Sequence, residues 1–161
     1  MEGVDDCRPE WAALPGKKLR CSEALVTLIK QTEKRTFPAK EAMDFDAEMK
    51  KRNTQLYCAY REDAGMLVLY GYLVYVRSKL VTRIHKVCVV EQHRGKGLGA
   101  WMMGRAVEEL RKGGAADVDL WVDLAREPAR RLYRGCGFED MEVVRDYYGA
   151  GRDAVRMQRN L

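Results

Sequence analysis

The residues best suited to chemistry lie between positions 84 and 110. Arg94-Gly95-Lys96-Gly97-Leu98-Gly99 is a basic, glycine-rich turn. Before it, Ile84-His85-Lys86-Val87-Cys88-Val89-Val90 is apolar and rich in β-branched residues. After it, Leu98, Trp101, Met102, Ala106 and Leu110 recur at three- and four-residue steps. The order is strand, turn, helix. The first N–H groups of a helix have no intrahelical partner, its dipole is positive at that end, and glycine lets a ligand approach the backbone. Arg94 and Lys96 add positive charge. The chemistry that fits is the binding of an anion, a phosphate group above all. A tight connection without a ligand uses the same glycines, so spacing has to decide. Glycines at 95, 97 and 99 match neither G-x-G-x-x-G nor G-x-x-x-x-G-K-[ST], which excludes the dinucleotide and P-loop readings.

An anion turn of this kind has to be held at the end of a strand. Ser22, as an N-cap, followed by Leu25, Leu28, Ile29 and Thr32 predicts a helix to about Arg35, stopped by Thr36-Phe37-Pro38. A second helix is expected from about Ala39 to Lys51. Strands are expected at 55–61, 66–76 and 80–90 as an antiparallel meander, with Glu62-Asp63-Ala64-Gly65 as its first turn. After the helix that follows the glycine turn, Val118 to Val122 reads as a short strand, and Pro128 opens a helix with the face Ala129, Leu132, Tyr133 and Cys136. Residues 138–147 and 153–158 read as closing strands around Gly149-Ala150-Gly151. This order predicts an α/β architecture, a mixed sheet with helices on its faces and the anion turn at the end of a central strand.

Composition sets the outer limits. A chain of 161 residues with 47% hydrophobic content is sized for one domain. Residues 1–20 read as a flexible arm anchored only by Trp11 and Leu14, with a short strand expected near Leu19, and residues 21–161 as the domain. The net charge is +5, but 29 basic residues are interspersed with 24 acidic ones, so no nucleic-acid partner is expected. Five scattered cysteines and two histidines form neither a disulfide framework nor a metal site, so no metal is expected. No apolar run reaches membrane-spanning length and no leader pattern opens the chain. The expectation is a cytoplasmic or nuclear protein, a monomer or weak dimer with no membrane partner.

The spacing that the turn does fit is [Q/R]-x-x-G-x-[G/A] after a central strand. In this Arg94 to Gly99 resembles the acetyl-CoA loop of the GNAT superfamily of N-acetyltransferases. A second signature of that superfamily has the form L-x-V-x-x-x-N-x-x-A-x-x-L-Y-x-x-x-G-F. The chain carries Leu120-Trp121-Val122, Ala129, Leu132-Tyr133 and Gly137-Phe138 in that register, with Arg126 in place of the Asn. The resemblance spans about residues 22–161. It implies the GNAT fold, a central mixed, mostly antiparallel sheet of six to seven strands flanked by about four helices. It also implies acetyl-CoA as cosubstrate and transfer of its acetyl group to a primary amine by direct attack. Phe37-Pro38, and Arg145 to Ala154 with its paired Tyr147 and Tyr148, resemble the loops that flank the peptide groove of protein N-terminal acetyltransferases. That resemblance implies a peptide or protein N-terminus as acceptor. A small amine, such as a polyamine or an aminoglycoside, stays open because Glu41, Asp44 and Asp46 lie near the Phe37 loop. A catalytically weak acyl-CoA-binding regulatory module is the alternative of another class.

The same resemblance distributes roles. Arg94, Gly95, Lys96, Gly97, Leu98, Gly99 and Ala100 are expected to hold the pyrophosphate, with Arg126 reaching toward a CoA phosphate. The backbone of Val87, Cys88 and Val89 is expected along the pantetheine arm, one of its N–H groups serving as oxyanion donor. Tyr133 occupies the general-acid position. The usual base position is Trp121, which accepts no proton, so His85 is the candidate base, with Asp119 or Asp123 acting through water as the other option. Phe37, Pro38, His85, Tyr147 and Tyr148 are the expected acceptor contacts. Cys88, in an apolar strand with no adjacent base, is expected to be inert, and His93 to lie at the surface or the phosphate edge.

Overall fold

The computed structural model describes residues 8–161. Within them the sheet has seven strands in the order β1-β2-β3-β4-β5-β7-β6. The strands are β1 (Glu10–Leu14), β2 (Thr54–Asp63), β3 (Met66–Arg77), β4 (Thr82–Val89), β5 (Asp117–Asp123), β6 (Glu139–Gly149) and β7 (Arg152–Asn160). The helices are α1 (Ser22–Thr36), α2 (Phe45–Met49), α3 (Leu98–Lys112) and α4 (Glu127–Gly135). All neighbouring strands pair antiparallel except β4 and β5.

Three expectations are corrected at the N-terminal side. The first strand lies at Glu10–Leu14 and not near Leu19, and it pairs with β2 from Tyr60 to Leu56. Residues 10–14 of the expected arm are therefore part of the sheet. The reason is the anchors themselves: Trp11 stacks on Tyr57 at 5.2 Å between ring centroids and Leu14 is buried. The second helix is five residues long rather than thirteen or so. Met43 gives its N–H to the Glu33 carboxylate, which withdraws it from any helical ladder, and Asp44 then caps a fresh start by accepting from Ala47 N–H. Ser22 is not the N-cap of α1; Cys21 holds that position, and the Ser22 hydroxyl accepts from Gly16 N–H.

Each face of the sheet has its own core. Leu73, Ile84, Met103, Leu110, Leu120, Phe138 and Met157 belong to the one beneath α3. Leu25, Ile29, Phe45, Leu56, Tyr72 and Cys88 belong to the one beneath α1 and α2. β4 contributes to both because its alternation breaks. Val74 pairs with Lys86 and Tyr75 with Ile84, which leaves His85 as an extra residue without a partner on β3. Ile84 before this bulge points into the α3 core, whereas Cys88 after it points into the α1 core. One inserted residue has reversed the faces of the strand.

Candidate active site

The site begins with a missing seam. β4 and β5 are in register at only two pairs, Arg83 with Asp119 and Ile84 with Leu120, after which β5 continues alongside β7 alone. From His85 to Val89, β4 thus turns one edge to a cleft instead of to a strand. Unpaired backbone N–H and C=O groups of this kind are what an extended ligand can pair with.

The glycine turn closes one end of that cleft. Gly97 is the N-cap of α3 at φ 79°, without a capping side chain, and Gly95 is at φ 77°. Both need the left-handed region that glycine enters freely. A Cβ at either would meet nothing within 4 Å, so the space above them is open, and the first N–H groups of α3 face it uncapped. Arg94 donates from Nε to the Val89 carbonyl at 3.0 Å, which fixes its guanidinium over the end of β4. These features fit a pyrophosphate.

A groove of about 690 Å³ runs from this turn along β4. Val87, Cys88 and Val89 line it with Arg94, Gly95, Gly97, Leu98, Gly99 and Ala100, so the structure brings these expected residues to one groove. Lys96 does not line it. His93 does, with its ring against Tyr70 at 4.5 Å. Pro128, Ala129 and Leu132 of α4 form the opposite wall and were not anticipated. Leu132 sits close to Gly99, where a Cβ would come within 3.1 Å of it, so this glycine lets α3 and α4 approach.

A second cavity, of about 520 Å³, joins the groove and contains His85, Trp121, Asp123 and Tyr148. Phe37, Glu41, Val87, Arg126 and Tyr133 line both, so they mark the junction where two substrates would meet. Tyr133, the residue expected as general acid, lines that junction. Burial raises its phenol pKa, opposed by the charge of Arg126, so the phenol is protonated near neutrality. Arg126, at the N-cap of α4, thus faces the junction as well as the groove.

Not every expected contact is in the second cavity. Pro38 lines the cofactor groove only. Tyr147 lies flat on Trp121, 4.9 Å between centroids and 9° between planes, and lines neither space; the stack with Trp121 occupies its ring. Tyr148 is the member of the pair that lines the cavity, and burial pushes its phenol up to about 12. Asp119 is bound by Arg83 through both oxygens, at 2.7 and 2.9 Å, and by Arg156 at 3.4 Å. Asp123 accepts from Ala125 N–H and Arg152. Both carboxylates already hold fixed partners. His85 is exposed to the second cavity, and its pKa is lowered mainly by desolvation, with Arg83 and Lys51 adding to the effect and Glu48 and Asp119 opposing it. It is neutral near neutrality and can accept a proton. Cys88 is buried and its thiol pKa is raised by that burial, which keeps it protonated.

Arg152 was not singled out in the sequence. It donates to Glu41 at 2.8 Å and to Asp123 at 3.2 Å, and its guanidinium lies 5.5 Å from the Tyr148 ring. The residues after Phe37 are thereby joined to the β6–β7 hairpin.

Known proteins resemble this chain in sequence and in fold. An uncharacterized N-acetyltransferase of Methanocaldococcus jannaschii is 33% identical over 72 residues, 45% of this chain and 32% of that protein. An N-alpha-acetyltransferase of Sulfurisphaera tokodaii is 33% identical over 72 residues, 44% of this chain and 43% of that protein. These alignments span less than half the length of either relative. Among solved structures, the ribosomal-protein-S18-alanine N-acetyltransferase of Escherichia coli superposes with a TM-score of 0.72 at 17% identity, covering 94% of each chain. Residues 23–138, which contain the glycine turn, the open edge of β4 and Tyr133, match the acetyltransferase (GNAT) family as a whole. The chain belongs to the GNAT family of acetyltransferases.

Proposed function

We propose that the protein transfers the acetyl group of acetyl-CoA to the α-amine of a peptide or protein N-terminus. The observation that carries this reading is the second cavity. It is lined by both Phe37 and Tyr148, and it shares Tyr133 with the cofactor groove at the junction. A chain end entering there brings its amine to the junction and its first side chain to Phe37. The acceptor must lose a proton, and His85 in the same cavity takes it; Tyr133 gives one to the departing thiolate. The N–H groups on the open edge of β4 are the donors available to the oxyanion. The Sulfurisphaera tokodaii relative named as an N-alpha-acetyltransferase supports the same acceptor.

A polyamine or aminoglycoside would call for carboxylates free to receive several ammonium groups. Glu41, Asp44, Glu48 and Asp123 line the cavity, and each has a partner through at least one oxygen, while Glu48 Oε2 is buried without one among the described residues. Arg152 holds Glu41 and Asp123, Lys51 holds Glu48, and Asp44 caps α2. Asp46 is paired with Lys30. The decisive experiment offers acetyl-CoA with a library of N-terminal peptides beside free lysine, polyamines and aminoglycosides, with mass spectrometry locating the acetyl group. Acetylation of peptide α-amines is expected; acetylation of the small amines alone would overturn the reading.

A further inference from the structure

Glu33, in the last turn of α1, is 2% exposed, and three donors converge on its carboxylate. The Tyr72 hydroxyl of β3 donates to Oε1 at 2.7 Å. The Lys86 ammonium of β4 and the Met43 N–H both donate to Oε2, each at 2.7 Å. The backbone carbonyl of the same glutamate accepts from Phe37 N–H at 3.0 Å. The segment from Phe37 to Met43 is therefore tied at both ends to one residue. Lys86 completes the arrangement from below, with Nζ 3.5 Å from the centroid of the Phe37 ring.

This cluster requires the bulge in β4, since without His85 as an extra residue Lys86 would point to the α3 side and away from Glu33. A buried ion pair is, as a rule, no more stabilising than apolar residues of the same shape, so stability does not account for it. What it does supply is one fixed position for a loop that walls both cavities. We infer that Glu33 and Lys86 are positioning residues of the acceptor site, holding Phe37 where the first side chain of the acceptor packs and so setting selectivity for that side chain. The inference rests on the peptide reading of the second cavity; neither residue is placed at the reacting atoms.

The test compares wild type, Glu33→Gln, Lys86→Met, Lys86→Arg and the double variant Glu33→Gln/Lys86→Met on peptides that differ only in their first residue. Wild type is expected to discriminate among them. Lys86→Met and Glu33→Gln should raise the acceptor KM at least tenfold and flatten the ranking of peptides, with kcat and the Kd for acetyl-CoA changed less than about threefold. Lys86→Arg should restore much of the ranking, and the double variant should lose no more than either single change, because the pair acts as one unit. Amide exchange at Phe37 and Met43 should be at least tenfold faster in Lys86→Met. An unchanged ranking with unchanged exchange would overturn the inference, as would equal losses in kcat and cofactor affinity, which signal general disruption. If the wild type acetylates no peptide, the peptide reading fails and selectivity with it, while the exchange rates still decide whether the pair holds the loop.

Discussion

At Tyr133 two effects oppose each other: burial keeps the phenol protonated, and the nearby Arg126 guanidinium favours the phenolate. A proton donor needs both, one to hold the proton beforehand and the other to stabilise the charge left behind. Tyr133→Phe removes the proton and little of the ring packing on Phe138, 6.3 Å away between centroids. It should lower kcat by about 100-fold, a usual size for one general acid, with the Kd for acetyl-CoA unchanged by calorimetry. Equal turnover would assign the proton to water. His85 makes the matching prediction on the other side of the transfer. Its pKa is lowered below the ordinary 6.5, chiefly by desolvation. The neutral, base-competent form therefore persists to lower pH, and kcat/KM should rise with pH along an acidic limb whose midpoint lies below that value. His85→Ala should lower kcat/KM by about 100-fold and remove that limb. A profile of unchanged shape would exclude His85 as the base. The same shift has a stability consequence of fixed sign: the folded state binds the proton less readily than the unfolded chain, so the contribution is present above the unfolded value and lost as pH falls through the folded one.

The elements divide by how local their determinants are. The cofactor half was legible because it is written in short contiguous stretches: a turn of six residues, and a signature in which Leu132, Tyr133 and Phe138 keep helical and capping spacing. The acceptor half is assembled from contacts far apart in the chain. Tyr72 meets Glu33 across 39 residues, Lys86 meets it across 53, and Arg152 meets Glu41 across 111. No periodicity announces such pairs. The bulge at His85 was equally hidden, since nothing in Thr-Arg-Ile-His-Lys-Val-Cys-Val marks where the alternation reverses. Expecting α2 to begin near Ala39 failed for the same reason, a side-chain acceptor on another helix having captured Met43 N–H. Glycines can be read only with the fold in hand. A Cβ on Gly71 of β3 would lie 2.6 Å from the Cys88 carbonyl and 2.9 Å from Met102 Sδ, so backbone and helix both block it. Gly71→Ala should destabilise by about 2 kcal/mol, lowering Tm by roughly 4–8 °C in a domain of this size. In Gly104, on the exposed side of α3, a Cβ meets nothing. Gly104→Ala should raise stability by about 0.5–1 kcal/mol through helix propensity alone. Calorimetric scans of both variants test the contrast; similar shifts of one sign would contradict the packing described for α3.

Over the whole molecule, the cleft that makes the site is also the weakest line in the sheet. β1 to β4 form one antiparallel unit and β5, β7 and β6 another, joined in register at two residue pairs. The α3-side core crosses that line, carrying Leu73 and Ile84 on one side and Leu120 and Met157 on the other. The α1-side core does not cross it. On that face the junction is polar: Asp119 on β5 binds Arg83 of β4 and Arg156 of β7, and Arg156 also holds Glu142 of β6. Asp119 is nearly buried, so Asp119→Asn takes the carboxylate from Arg83 and leaves Arg156 with Glu142 alone, and it should cost about 1–2 kcal/mol, the usual scale for hydrogen bonds to a charged group with part of their solvent retained. A ligand that lies along β4 beyond Ile84 supplies backbone partners and contacts α4 across the gap, so its binding acts on the two units together. At a concentration 100 times its Kd, CoA should stabilise the fold by about 2.7 kcal/mol, which for a domain of this length raises Tm by roughly 5–11 °C. Amide exchange locates the effect: protection should concentrate on β4 from His85 to Val89, the first turn of α3 and β5, and it should appear in Asp119→Asn as in wild type, because the cofactor does not touch the polar junction. Protection spread evenly over β1 and β2, or confined to the glycine turn, would mean that the ligand does not run along the open edge. The cleft would then be a gap in the sheet and not the channel in which the acetyl donor lies.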